Sequence, residues 1–221
     1  MKNALLAPAI VALIAGAATA GTVHPAIDVH GVAAIARPSS SPQTVLWNQN
    51  SGGSGAAFNS QNFTSNSFGS PYDSEGADDF VLPRDATMTG VDVTGIFTNN
   101  SGLPANGGYA WLYSDRHAAP YKVLAVGFSH DGGPNFTFKI KHRLKAGKRY
   151  WISAIVNCDE VAGCGEWGWE VRLRNGKPAV WENPGDGWGT GCSTWKPLGH
   201  CTSLTSYQNA DFMFDVTGTW R

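Results

Sequence analysis

NFTFKIK, residues 135–141, sets Phe136, Phe138 and Ile140 in alternation with Thr137, Lys139 and Lys141. Successive side chains of a β-strand point to opposite faces, so a two-residue period marks a strand with one dry face and one wet face. Half-buried strands of this kind belong to antiparallel sheets. DFMFDVTGTW (211–220) repeats the pattern, with Phe212, Phe214 and Val216 against Met213, Asp215 and Thr217. Between and before them lie TVLWNQN (44–50), DDFVL (78–82), TGVDVTGIF (89–97), GYAWLYS (108–114), KVLAVGFS (122–129), RYWISAIVN (149–157) and WGWEVRL (167–173). Clusters of Gly, Asn, Pro and Asp separate these runs, and a helical i, i+3, i+4, i+7 stripe is not sustained without a Gly or Pro inside it. Nine short strands at close spacing predict an all-β fold, an antiparallel β-sandwich of jelly-roll-like form with long Gly/Asn/Trp-rich loops. The stretch 48–70 is Asn/Ser/Gly-rich, and it reads as an ordered loop pinned by Phe58, Phe63 and Phe68.

Composition agrees with that class. Gly 27 and Pro 12 in 221 residues, nine Trp, and only 15% charged residues suit a turn-rich β protein. Sixteen Lys and Arg against seventeen Asp and Glu leave a net charge of −1, which argues against a generic electrostatic nucleic-acid binder. A hydrophobic content of 42% excludes a wholly disordered chain.

The first twenty residues read as an export signal. Lys2 precedes the apolar run ALLAPAIVALIAG (4–16), and Ala18-Thr19-Ala20 has the small-x-small form of a cleavage site, with the cut expected before Gly21. That run falls short of the roughly twenty residues that span a bilayer, so the protein is not expected to be integral to a membrane. Residues 21–43 read as a tail and linker, and residues 44–221 as one β-sandwich domain of a secreted or periplasmic protein. An oxidising destination suits the four cysteines. Cys158 with Cys164 and Cys192 with Cys201 is the expected pairing, because each closes a short loop. No C-x2-C pair suggests zinc.

Motifs for chemistry are few. The chain has no H-E-x-x-H and no G-x-S-x-G, and its six His are scattered. Glu166 and Glu170 share one face of a strand, about 13 Å apart along it, beyond the separation of a glycosidase carboxylate pair. Asp73, Glu75, Asp78 and Asp79 in YDSEGADDF are candidate Ca²⁺ ligands, since hard oxygen donors beside a Gly-containing turn suit that ion. Their alternative use is turn and strand-start hydrogen bonding. The tryptophans stand out most. Trp167, Trp169, Trp181, Trp188 and Trp195 crowd into residues 167–195 among glycines and both cysteine pairs. Rings braced in this way are expected to stack on a sugar, with Glu170, Asn183 and Asp186 orienting it and Trp188 the most exposed ring. Filling a sandwich core is their other use.

ADDFVLP (77–83), MTGVDVTGIF (88–97), LKAGKRYWISA (144–154), GEWGWEVR (165–172) and NPGDGWGTGCSTW (183–195), in that order, resemble a secreted bacterial β-sandwich domain of poorly assigned function. That domain occurs alone or appended to secreted proteins such as proteases. The resemblance covers residues 44–220 and implies a jelly-roll-like fold with no established active site. Taken together, these features lead to the expectation of a non-catalytic binding or accessory module for carbohydrate or cell-envelope material. A glycan-active hydrolase using acids of 73–79 or 166–170 is the first rival, and a structural surface protein the second.

Overall fold

A computed structural model describes residues 43–64, 71–99, 103–159, 163–173, 177–202, 207 and 209–221. The expected export signal, the tail as far as residue 42, and Phe68 lie outside the described residues. Fifteen strands form, with one 3-10 turn at Leu198–His200 and no α-helix among the described residues. They are β1 Thr44–Asn48, β2 Gly53–Asn59, β3 Gln61–Phe63, β4 Glu75–Val81, β5 Ala86–Val93, β6 Gly95–Thr98, β7 Gly108–Arg116 and β8 Ala119–Ser129. After them come β9 Phe136–Leu144, β10 Arg149–Cys158, β11 Glu166–Leu173, β12 Val180–Glu182, β13 Lys196–Pro197, β14 Ala210–Phe212 and β15 Phe214–Trp220.

The fold is all-β and sandwich-like, as the alternation predicted. A large sheet runs β1-β15-β5-β9-β8-β7-β10-β4-β12-β13, with β3 added parallel to β10; its other pairings are antiparallel. A small sheet runs β14-β11-β2, with β6 also pairing β11. Two stretches that read as single strands are each divided between the sheets. Residues 89–97 leave the large sheet as β5 and enter the small one as β6, and residues 211–220 pass from β14 to β15. The turning points meet: Thr94 N–H donates to Met213 O, Met213 N–H to Glu170 O, and Glu170 N–H to Thr94 O. Strands that switch sheets make the corners of a sandwich.

The inner faces close on each other. Phe136, Phe138 and Ile140 of β9, Val91 and Val93 of β5, and Phe214 and Val216 of β15 meet Trp167, Trp169 and Val171 of β11 in one core. Trp169 stacks on Phe212 at 4.6 Å, and Trp167 sets its edge on Phe136 at 5.6 Å.

Part of the stretch taken for a loop is strand. GSGAAFN forms β2 and QNF forms β3, although both are poor in β-branched residues. Pairing against β11 and β10 decides them, which is how β-structure overrides local propensity. The short β12 and β13 also have too little pattern to be read in advance. The cysteine pairing is as expected: Cys158 joins Cys164 and Cys192 joins Cys201, with Cα atoms 5.7 and 5.8 Å apart. Among the described residues, no helix is long and apolar enough to cross a membrane.

Candidate functional site

The tryptophan-rich segment does not form one surface. Trp167 and Trp169 are fully buried on the inner face of β11, each with its indole N–H spent on a carbonyl: Pro134 O at 2.7 Å and Met213 O at 2.7 Å. Glu170 lies between inward positions of the same strand, so it points away from both rings and accepts from Gly55 N–H. Trp181 is 5% exposed and donates to Asn59 O. Asn183 is buried and works as a clamp. Its amide donates to Pro71 O and Asp73 O, both at 2.7 Å, and its carbonyl accepts from Trp188 N–H. Trp188, expected to be the most exposed ring, is half-buried against Tyr72 and Phe63 and donates to Tyr72 O. The glycines here serve packing. A Cβ on Gly185 would lie 2.4 Å from Pro71 Cα, and one on Gly187 2.5 Å from Pro71 O, so the 183–189 loop lies flush on residues 71–72. Asp186 is exposed, at φ 50°, and accepts from Gly191 N–H within its own loop.

The acids of 73–79 do not converge either. Alternation along β4 sends Asp78 into the core and Glu75 and Asp79 to the outer face, while Asp73 accepts from Phe63 N–H. Asp79 pairs with Arg149. Among the described residues no three His, Cys, Asp or Glu side chains come together as a metal site. The candidate Ca²⁺ set is therefore divided by the sheet itself.

What the fold does assemble is the outer face of the large sheet over β12, β4, β10, β7 and β8. β7 reads Tyr109-Ala110-Trp111-Leu112-Tyr113; Ala110 and Leu112 enter the core, and the three rings face outward. Register continues the ring row: Ile155 opposes Tyr109, which opposes Phe128 on β8, and Trp111 lies between Ser153 and Val126. Tyr109 stands 5.7 Å from Trp111 and 5.0 Å from Phe128, and Phe128 stands 4.4 Å from His130. At the other end Trp195 meets Tyr113 edge-on at 6.3 Å, over a small apolar cluster of Ala77, Trp151 and Val180. Beside Tyr109 and Trp111 opens a cleft of about 310 Å³, walled by Gln61, Asn62, Asp73, Glu75, Asn157 and Pro184 among others. The described residues lining a larger depression of about 680 Å³ near Phe97 and Pro104 are Gly, Pro, Ile, Leu and Phe, and none of these supplies a side-chain donor or acceptor.

Carboxylates set the electrostatics of the cleft. Glu75 and Glu182 are register partners across β4 and β12. Glu75 Oε1 accepts from Tyr113 OH at 3.0 Å and from Ser153 Oγ. Burial raises the Glu75 pKa against the opposing effect of those two donors, and burial followed by the charge of Glu75 pushes Glu182 up to about 7. Burial and the Glu75 charge also push the Tyr113 phenol up. An acid whose folded pKa lies above its unfolded value loses stability as pH rises between the two, because the unfolded chain ionises first. For Glu182 that window runs from 4.5 to about 7. After discounting for solvent screening of a partly exposed side chain, the loss is about 1–2 kcal/mol. Glu182→Gln is expected to remove it, so urea midpoints of variant and wild type diverge at pH 8 relative to pH 5. Parallel pH profiles would show that Glu182 ionises freely in the native state.

No family model and no curated protein matches this chain. Of the residues singled out in the sequence, Asp73, Glu75, Asp79 and Trp195 belong to the outer face or its rim. Tyr109, Trp111, Tyr113, Phe128, Ser153, Asn157 and Glu182 were missed. A signal was present in Y-x-W-x-Y at 109–113, a two-residue aromatic period whose intervening Ala110 and Leu112 already suffice for a core face.

Proposed function

We propose that the protein binds carbohydrate, laying an extended glycan across the strands on the outer face of the large sheet. The observation that carries this reading is the row of rings from Trp111 through Tyr109 to Phe128, beside a cleft rich in amides and carboxyls. Flat rings suit the C–H faces of sugars at little entropic cost, and Asn62, Asn157 and Glu75 supply acceptors and donors for hydroxyls. From β12 to β9 the face spans five strand spacings, about 24 Å, room for several sugar units. Two disulfides support an oxidising, non-cytoplasmic setting, in keeping with the export signal read in residues 1–20 and the secreted domain that the sequence resembles.

Tyr109 is 40% exposed, so its ring can be removed with little effect on folding. In a glycan-array screen followed by calorimetry, Tyr109→Ala is expected to weaken binding of the selected glycan about tenfold or more, as for loss of one stacking partner. Its melting temperature should stay close to wild type. Undiminished binding by Tyr109→Ala and Phe128→Ala would move the site elsewhere. The register pairing of Glu75 with Glu182 favours a second reading, a glycan hydrolase with Glu182 as proton donor. Release of new reducing ends, lost in Glu75→Gln with binding retained, would select it.

A further inference from the structure

The glycan-binding face ends on a strand of a different character. Six of the sixteen Lys and Arg residues fall within KIKHRLKAGKR (139–149), and no Asp or Glu occurs between Asp131 and Asp159. The near-neutral total charge conceals this clustering. Lys139, Lys141 and Arg143 occupy successive outward positions of β9 and all three are exposed, while Phe138, Ile140 and Leu144 anchor the strand in the core. The spacing along the strand is about 6.8 Å. Ion pairs among the described residues engage Lys145 with Asp85 and Arg149 with Asp79, and none engages the three cations of the stripe. Across β5 the register partners of two of them are neutral: Gly90 opposes Lys139 and Thr87 opposes Arg143. On the other side Lys139 opposes Phe128, so the stripe continues the ring row without a gap. Arg143 also borders a groove of about 550 Å³ shared with His142, Lys148 and Arg149. The acid in that groove, Asp115, is engaged by the Trp151 indole N–H.

Resting on the carbohydrate reading above, we infer that the glycan is a polyanionic polysaccharide whose acidic groups seat on Lys139, Lys141 and Arg143 while its sugar rings stack on Phe128 and Tyr109. Cations without partners, aligned at a regular spacing beside stacking rings, raise the local concentration of an anionic chain and set its direction on the face. The acidic cleft does not cancel this attraction. Four strand spacings, about 19 Å, separate β4 from β9, more than twice the Debye length of about 8 Å at physiological salt. Carboxylate, sulfate and phosphate groups share the chemistry required.

The test is calorimetric titration of the full chain with hexagalacturonate, dextran sulfate, unsubstituted dextran and cellohexaose, at 20 and 300 mM NaCl. Hexagalacturonate or dextran sulfate is expected to bind at least tenfold more tightly than the neutral pair at low salt, and to lose most of that advantage at high salt. Carboxylate against sulfate preference then separates the two sources of charge. In Lys139→Gln/Lys141→Gln/Arg143→Gln the advantage should vanish with the melting temperature unchanged, because all three side chains are solvent-facing. Neutral glycans binding as tightly as charged ones, or a triple variant that keeps the advantage, would overturn the inference and leave the carbohydrate reading standing. Duplex DNA bound as tightly as hexagalacturonate through the same three residues would also overturn it, in favour of an unselective polyanion surface. Failure of every glycan to bind would remove the reading beneath it.

Discussion

Trp169→Ala should lower stability by about 3–5 kcal/mol, the range for removing a large buried ring from a core that cannot collapse around the gap. Trp169 is fully buried where the two sheets meet, stacked on Phe212 with an interplanar angle of 15° and edge-on to Phe214 at 6.2 Å. Its indole N–H is held by Met213 O, the residue at which the chain passes from β14 to β15. Substitution would therefore open a cavity and also leave that carbonyl, at a sheet-switching corner, with only the longer bond from Thr94 N–H at 3.3 Å. A urea titration at pH 7 checks it. A change below 1 kcal/mol would mean that Trp169 is not a core residue, and would restore the surface-platform expectation drawn from the sequence.

Asp78→Ala should lower stability by about 2–4 kcal/mol at pH 5, the cost of stranding buried donors. The carboxyl is 1% exposed; Oδ2 accepts from Gln49 Nε2 and Phe212 N–H, both at 2.7 Å, and Oδ1 accepts from Asp79 N–H. These bonds tie β4 of the large sheet to β14 of the small one. Burial, with the Asp211 charge beside it, raises the Asp78 pKa well above the usual value of 3.8. Wild-type stability from this group is therefore greatest at low pH and declines as pH rises past 3.8, where the unfolded carboxyl ionises first. The deficit of Asp78→Ala should accordingly shrink between pH 5 and pH 8. Urea titrations at the two pH values measure it, and a deficit that stays constant between them would mean that the native carboxyl is already ionised at pH 5.

These two residues show how far local pattern reached. Residue 169 lies in WGWEV, where Trp167 and Trp169 were correctly placed on one face of a strand. Whether that face is wet or dry depends on the sheet packed against it, and a strand of the small sheet carries no local mark of that. The same alternation argument, applied to Glu170, would have separated it from both rings at once. Asp78 sat in a run of acids that looked like a metal cluster, yet strand geometry alone divides 75 and 79 from 78. Asn183, Gly185 and Gly187 read as a ligand loop because tight turns and polar groups look alike whether they face a sugar or residues 71–73. The ring row was overlooked for a different reason. Trp111 and Tyr109 become a surface only when Phe128 is brought beside them by the β7–β8 pairing.

The sequence by itself determined the fold class, the core faces of β9, β14 and β15, and the cysteine pairing. Period-two alternation and short loop closure are local properties, and no distant partner has to be known to read them. Only the tertiary structure decided which rings are buried, that Glu75 and Glu182 become neighbours, and that Lys139 continues the row of Tyr109 and Phe128. Each of those facts is a cross-strand register between segments from about ten to more than a hundred residues apart. Such pairings arise from burial of whole sheet faces, a collective energy that no single stretch of chain displays.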